Sequence, residues 1–312
     1  MRRLLLGRVA ALIPTLILAS FGVFWLMKLA PGDPAVALAG PNPTPGQIQQ
    51  IRHAQGFDQP IFEQYGRWLS HAVRGDLGIS ITSHASVVTE IGQTLPITLQ
   101  LVVGALLIAI VLGVLAGVMA ARRADSAADA IITSTASGGA AVLSFWLGLV
   151  LVSVFALDLH WFPATGYVGF SDDPGEAIKH LVLPSVALGV AGAAEIARQL
   201  RAALLDVLGS DHVRTLRAKG LSERQVVWRH ALKGAAVPLM TVIGLQVSRL
   251  LGATVVVEAV FGISGIGTLL VQAAADRDYP VVQGIVVVMA VLVIGTNFVV
   301  DLLYRLVDPR IR

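Results

Sequence analysis

The segment RTLRAKGLSERQVVWRHALKGAAVP, residues 214–238, holds six basic side chains, one acid and one histidine. The whole chain is 55% hydrophobic and only 14% charged, and its mean hydropathy is +0.75. Uncharged stretches long enough to cross a bilayer, which needs about 20 apolar residues of helix, lie on both sides of the segment along the chain. The sequence therefore predicts an all-α integral membrane protein in which this segment is a polar loop.

Charge-free intervals predict six transmembrane helices. The first is interpreted as a retained span, because its uncharged run over residues 9–27 exceeds the roughly 7–15-residue apolar core of a signal peptide. The fourth is short and continues past Glu195 and Arg198, which are three apart and can pair on one helix face. The six spans are predicted within residues 9–30, 91–121, 130–157, 181–194, 238–260 and 279–300.

The distribution of cations predicts the orientation of these spans. Of the 23 Lys and Arg residues, 16 fall on the side of the N-terminus, six on the opposite side and one, Arg249, within the fifth span. Because Lys and Arg are enriched in cytoplasmic loops, both termini and residues 214–238 are predicted to face the cytosol. The predicted segments are a first span at 1–30, an external helical segment at 31–94 and a core at 95–312 with a cytoplasmic loop at 206–237.

The external segment carries helix punctuation. Thr44 followed by Pro45 and Gln47 has the pattern of a capping box, and Gly56 is expected to end that helix. A second helix is expected near residue 60, with one apolar stripe that includes Tyr65. The segment is predicted to be a small folded cap on the membrane domain.

A sharp bend is predicted around Gly220. Arg217 and Lys219 end a descending helix, where positive charge suits the negative pole of the helix dipole. Gly220 suits the left-handed residue that closes a helix. Ser222 and Gln225 then form a capping-box pattern for the next helix.

The next helix, residues 223–233, is predicted to be amphipathic and too short to be stable alone. At 100° per residue, Val227, Trp228, Ala231 and Leu232 share an arc of about 140°. Two interpretations stay open: the helix lies on anionic lipid headgroups, or it docks on a cytoplasmic protein at the angle that the bend fixes. The predicted docking residues are Arg214, Arg217, Lys219, Gly220, Leu221, Ser222, Glu223, Gln225, Val227, Trp228 and Ala231.

This segment resembles the cytoplasmic coupling loop of permease subunits of ATP-binding-cassette (ABC) importers, and most closely those of the dipeptide/oligopeptide type. Six further motifs resemble that family in the same order along nearly the whole chain: APGDP at 30–34, RGDLGIS at 74–80, LPITLQL at 95–101, VVVEAVF at 255–261, RDYPVVQG at 277–284 and DLLYRLVDPRIR at 301–312. Two positions depart from the family pattern. Leu216 replaces a small residue, and Ser264 stands where a proline is common.

The resemblance implies a type I importer permease fold, alternating access and import of short peptides, with glutathione or a nickel chelate as alternatives. Its implied partners are two nucleotide-binding ATPase subunits, a second permease and an external substrate-binding protein. The phosphate-binding motif needs Lys followed by Ser or Thr, and none of the four lysines is followed by either. No enzymatic activity and no cofactor are therefore expected in this chain, with ATP and Mg bound by the partner subunits.

Two other classes of membrane protein fit the sequence less well. GISG, residues 262–265, matches the G-x-S-G of rhomboid-type proteases, but no histidine follows His230 to act as base. An ion-driven secondary transporter would need acids at mid-membrane, and Glu195, the nearest such acid, has a basic neighbour. No HExxH metal motif is present, and the chain has no cysteine for disulfides or thiolate sites.

Polar residues in the last two spans are candidates for the translocation path. Arg249 is the most costly of them to place in a membrane, because inserting a cation at mid-span costs about 2.5–3.5 kcal/mol. It is expected either to border the path or to contact the partner permease. The other candidates are Gln246, Glu258 and Gln283. Asp278 and Tyr279, at an outer helix end, either bind the external protein or anchor the helix, and anchoring is favoured.

Overall fold

A computed structural model describes residues 14–26, 35–36, 39–40 and 43–307, the side chains of 55, 301 and 303–307 excepted. The APGDP motif at 30–34, the N-terminal arginines and the last five residues therefore lie outside the described residues. Within these limits the chain is helical, and its only strand-like feature is an isolated bridge between Ile79 and Ser86. The predicted all-α class is confirmed.

Twelve helices, α1 to α12, follow one another in the described part of the chain. In order they are Pro14–Leu26, Pro45–Gln55, Ile61–Ala72, Val87–Arg122, Ala127–Ala141, Ser144–Asp158, Pro174–Leu208, Asp211–Ala218, the segment of Glu223–Gln225, Val226–Ala231 and Leu232–Gly234, Ala236–Phe261, Ile266–Ala275, and Tyr279–Val307. The part of α6 from Val152 to Asp158 and the part of α9 from Val226 to Ala231 are π-helical.

Four of these helices, α4, α7, α10 and α12, are long and apolar enough to cross a membrane. They coincide with the second, fourth, fifth and sixth predicted spans. The first predicted span is described only over α1, Pro14–Leu26, which is apolar but shorter. Helices α4 and α7 have 36 and 35 residues, which is more than a bilayer requires. Both helices continue beyond the two ends of the corresponding predicted spans.

The third predicted span is not one straight helix. It consists of α5 and α6, which are bent by 100° at a short break and can be a broken span or a re-entrant loop. Val142 and Leu143 adopt extended backbone at the break. The run of Ser and two Gly just before it, residues 137–139, lowers helix propensity by about 1 kcal/mol per glycine. A continuous uncharged stretch in the sequence hides this bend.

The two helices predicted within residues 31–94 are present. Thr44 caps α2 in a capping box with Gln47, and Gly56 ends it with φ 67°. Tyr65 of α3 is buried, and its hydroxyl lies 2.8 Å from that of Ser20 in α1. A cluster of aromatic rings from the same two helices surrounds this contact.

The chain divides into two compact units that are interleaved in sequence. One contains the described residues up to Ile97 together with Gly265–Ile294, and the other contains Thr98–Ser264 with the residues from Gly295 onward. The first unit has a core that includes Leu77, Val87, Ile266 and Ile285. The predicted segments are consecutive along the chain, whereas each of these units combines stretches that are far apart in sequence.

In the second unit, α4 and α7 approach closely through small residues. A Cβ at Gly113 would lie 2.7 Å from Ile196 Cβ and 2.8 Å from Ala193 O. A Cβ at Gly189 would in turn lie 2.7 Å from Ala105 O. Small residues allow membrane helices to make this kind of close backbone contact. Residues 227–235 pack against this pair of helices.

We expect Gly113→Ala to lower the stability of the purified protein by about 1–3 kcal/mol, because the added methyl group overpacks the interface with α7. Gly92→Ala on the same helix is the matched control, since nothing lies within 4 Å of a Cβ there. The better helix propensity of alanine should leave that variant neutral or slightly stabilised. Thermal unfolding in detergent compares the two, and equal behaviour would contradict the close α4–α7 contact.

Candidate docking elbow and polar span residues

The helix that leads into the bend is interrupted, which the sequence analysis did not predict. The expected single helix down to Lys219 is instead α7, which ends at Leu208, and α8, which begins at Asp211. Gly209 closes the first and Ser210 precedes the second, with an acid in its first turn. The Gly-Ser-Asp sequence at 209–211 is a helix stop followed by a helix start, and this local signal indicates the break.

The bend itself lies at Gly220, whose φ of +81° is in the left-handed region. Its N–H donates to the Arg217 carbonyl at 2.9 Å, and the Leu221 N–H donates to the Leu216 carbonyl at 3.3 Å. A Cβ at Gly220 would meet nothing within 4 Å. Glycine is therefore required here for its backbone conformation and not for space.

Two contacts fix the angle after the glycine. Ser222 and Gln225 form the predicted capping box, with the Ser222 N–H donating to Gln225 Oε1 at 3.2 Å. Arg217 donates through Nε and an Nη to both oxygens of Glu223, at 2.7 and 3.2 Å. The Arg217 guanidinium lowers the pKa of the Glu223 carboxyl. This ion pair joins the two arms of the bend, and the sequence analysis missed it because its partners lie six residues apart across a turn.

Helix α9 rests on the chain's own spans. Val226, Val227 and Ala231 are buried, and the last two belong to a core with Leu200 and Leu204 of α7. Val227 and Ala231, which are predicted docking residues, thus pack inside the chain and are not part of its exposed surface. A projection at 100° per residue places Val226 outside the arc of Val227 and Ala231. Because π-helical turns hold more residues than α-helical ones, Val226 nevertheless shares their buried face.

Trp228 takes the opposite position, with 43% of its surface exposed. It stands among polar side chains that face away from the spans. The exposed residues of the bend, from 214 to 233, are Arg214, Thr215, Arg217, Ala218, Lys219, Gly220, Ser222, Glu223, Arg224, Gln225, Trp228, Arg229 and Lys233, and Leu221 is half-buried. We name this surface the elbow. The apolar face of α9 is already covered by α4 and α7. The elbow therefore presents mainly basic side chains and one indole, that of Trp228.

An ion pair connects the C-terminal part of α7 to the start of α5. Arg201 donates through Nε to Asp129 Oδ1 at 2.6 Å and through an Nη to Oδ2 at 2.5 Å. Only 6% of the Asp129 side chain and 27% of the Arg201 side chain are exposed. The predicted Glu195–Arg198 pair is also present on α7, but it is more exposed. The Asp129–Arg201 contact, 72 residues apart in sequence, had no signal in the sequence.

The polar candidates in the spans occupy different environments. Gln246 is buried, and Gly192 of α7 lies against its amide. Glu258 is fully buried and accepts a hydrogen bond of 2.6 Å from the Thr98 hydroxyl. Gln283 is buried in the other unit. Arg249, by contrast, is exposed in the middle of α10.

Asp278 and Tyr279 lie at the start of α12. The Asp278 carboxylate is buried and accepts from the Ser80 hydroxyl at 2.5 Å and from the Thr82 N–H at 3.1 Å. It also accepts from the Val281 N–H at 3.4 Å. These contacts join the RGDLGIS and RDYPVVQG motifs, and they favour the anchoring role over contact with an external protein. Tyr279 is half-buried.

The GISG motif is accounted for as a helix end. Gly262 closes α10 with φ 61°, and the N–H of Ile263 donates to the Glu258 carbonyl at 2.9 Å. Among the described residues no group of three His, Cys, Asp or Glu side chains could hold a metal ion. Helix α11, which follows at Ile266, was not predicted.

Comparison with known proteins shows which family the sequence matches. Residues 109–312 match the family described as binding-protein-dependent transport system inner membrane component, and residues 1–102 match the family of its N-terminal part. A putative peptide transport system permease protein of Brucella abortus is 41% identical over 312 residues, which are 100% of this chain and 99% of that protein. The glutathione transport system permease protein GsiC of Escherichia coli is 39% identical over 305 residues, covering 98% and 97% of the two chains.

Among solved structures, an inward-facing form of the MetNI methionine ABC transporter is similar with a TM-score of 0.58. The similarity covers 70% of this chain and 96% of the other, at 20% sequence identity. At that identity the likeness bears on the fold alone.

Proposed function

The chain belongs to the binding-protein-dependent transport system inner membrane components, the permease subunits of ABC importers, and we propose that the elbow is the surface through which ATPase subunits drive it. The observation that carries this proposal is the construction of the elbow. A left-handed glycine, a capping box and the Arg217–Glu223 pair hold α9 at a fixed angle to α8. Residues on α9 pack in turn onto α7.

This construction supports a mechanical role. The buried face of α9 shares a core with Val118 of α4 and Leu200 of α7, so a force on the elbow is passed to both helices. The Asp129–Arg201 pair extends that connection from α7 to α5. Alternating access then consists of movements of these spans when the ATPase subunits close and open. The elbow's exposed cations and Trp228 are the groups that contact those subunits.

The partners follow from the family. An importer of this class needs ATP hydrolysis, and the sequence of this chain holds no phosphate-binding lysine motif, so we assign ATP and Mg to two separate nucleotide-binding subunits. A second permease, identical or related, and an external substrate-binding protein complete the assembly. We place the chain in the inner membrane as a multi-pass protein with both termini in the cytosol. The positive charge of the loops on that side supports this orientation.

Short peptides are the substrate that we propose. The name of the Brucella abortus relative, which matches the full chain at 41% identity, supports this class. Glutathione is the second candidate, because GsiC of Escherichia coli is nearly as similar at 39% identity. Both candidates are small molecules that carry free carboxylates at neutral pH.

We expect the complete assembly in proteoliposomes to take up a labelled dipeptide only when ATP is supplied on the cytosolic face. Uptake should persist when ionophores collapse the proton and sodium gradients, because no ion gradient is coupled to the movement. Glutathione uptake in parallel assays distinguishes the two substrates. Uptake that continues without ATP but stops with the ionophores would contradict the proposal and favour a secondary transporter.

A further inference from the structure

Helix α10 exposes one narrow face along its whole length. All of its exposed residues project within an arc of about 80° at 100° per residue, and its buried residues occupy the opposite side. The exposed residues are Pro238, Thr241, Leu245, Arg249, Gly252, Val256 and Ala259. We name this face the α10 stripe. It is the part of α10 that the described residues leave uncovered.

A cation sits near the centre of the stripe. Arg249 is 13 residues after the start of α10 at Ala236 and 12 before its end at Phe261, or roughly 19 Å from either end at 1.5 Å per residue. Within the described part of the chain its guanidinium forms no salt bridge or hydrogen bond. An unpaired cation at this depth does not face lipid without a cost of several kcal/mol, so the stripe borders water or another polar group.

The neighbours of Arg249 leave room beside it. Gly252 is exposed, and a Cβ there would meet nothing within 4 Å. One turn to the other side is Leu245, 53% exposed, and beyond it the Thr241 hydroxyl. The stripe thus combines open space beside Gly252, the apolar side chain of Leu245 and the single positive charge of Arg249. Arginine presents its donors in a planar fork that matches a carboxylate with two parallel hydrogen bonds.

We propose that the α10 stripe lines the translocation path and that Arg249 binds the C-terminal carboxylate of a peptide as it crosses. The inference rests on the proposed import function and adds to it the chemical group by which substrate is held at mid-membrane. The charge is complementary to the one group that every unmodified linear peptide carries at its C-terminus. The alternative is that Arg249 contacts the partner permease instead of the substrate, and the test separates the two.

The test compares a dipeptide with a free C-terminus and the same dipeptide as its C-terminal amide, in proteoliposomes of the complete assembly. We expect the wild type to favour the free acid in kcat/KM by about tenfold or more, since hydrogen bonds to a charged group are worth about 1.5–3 kcal/mol. Arg249→Gln should reduce this ratio to near one, whereas Arg249→Lys should keep part of it. Arg123→Gln, which removes an exposed arginine outside the stripe, should leave the ratio unchanged.

Equal losses for the two peptides in Arg249→Gln, or loss of the second permease on co-purification, would overturn the proposal in favour of a subunit contact. Wild-type assembly that imports neither peptide with ATP would instead reject the proposed function, and this inference with it.

Because the chain has no cysteine, Leu245→Cys in an assembly whose other chains also lack cysteine gives an independent readout. A water-soluble thiol reagent should label it, and the free-acid dipeptide should slow labelling more than the amide does. A position that the reagent does not reach would contradict a path along the stripe.

Discussion

Gly220→Val is expected to lower ATP-dependent transport about tenfold or more while leaving insertion of the protein in the membrane intact. The left-handed conformation of Gly220, with φ of +81°, costs about 1–3 kcal/mol for a β-branched residue. Each 1.4 kcal/mol reduces the population of the correctly bent elbow about tenfold. Substrate-stimulated ATP hydrolysis should fall together with transport, because both depend on contact through the elbow.

The control for this variant is Gly220→Asn. Asparagine adds a side chain of similar size to valine but tolerates left-handed backbone far better. Since a Cβ at this position would touch nothing within 4 Å, bulk alone should have little effect. Asparagine should therefore retain most transport. Unchanged coupled transport in the valine variant would count against a rigid elbow, and equal loss in both variants would point to side-chain bulk at the docking surface.

Asp129→Asn is expected to destabilise the protein by roughly 3 kcal/mol, the lower end of the range for breaking a buried ion pair. The substitution keeps the shape of the side chain but leaves the partly buried Arg201 guanidinium without its counter-charge. Glu195→Gln is the matched control on α7, because its pair with Arg198 is more exposed and should be worth less than about 1 kcal/mol. Unfolding of the purified protein by denaturant in mild detergent measures the difference.

The same pair of variants tests whether the α5–α7 connection transmits force. If it does, Asp129→Asn should lower the number of peptides moved per ATP hydrolysed even at temperatures where the protein stays folded. Glu195→Gln should leave that ratio unchanged. Equal and small stability losses in the two variants would contradict the assignment of Asp129–Arg201 as a structural connection.

Much of the membrane architecture could be predicted from the sequence, because long uncharged intervals and local caps are local signals. The four long spans and the capping boxes at Thr44 and Ser222 belong to this class. The left-handed Gly220 was likewise readable from the residues on either side of it. These features depend on residues a few positions apart, where hydrophobicity and capping chemistry act.

Other features depend on contacts that sequence order conceals. The bend between α5 and α6 lies inside one uncharged stretch, and helix α11 follows a glycine-rich turn that offered no cap. The pairs Asp129–Arg201 and Ser80–Asp278 join residues that are 72 and 198 positions apart. The burial of Val226 instead of Trp228 follows from a π-helical turn, which a projection at 100° per residue does not represent.

Photo-crosslinking from position 228 tests the central claim most directly. A benzoylphenylalanine in place of the exposed Trp228 preserves an aromatic side chain at the elbow and reacts with whatever lies against it. In the assembled transporter the account predicts adducts with the ATPase subunit, in amounts that change between the ATP-bound and nucleotide-free states. Adducts with phospholipid alone, in every nucleotide state, would contradict it.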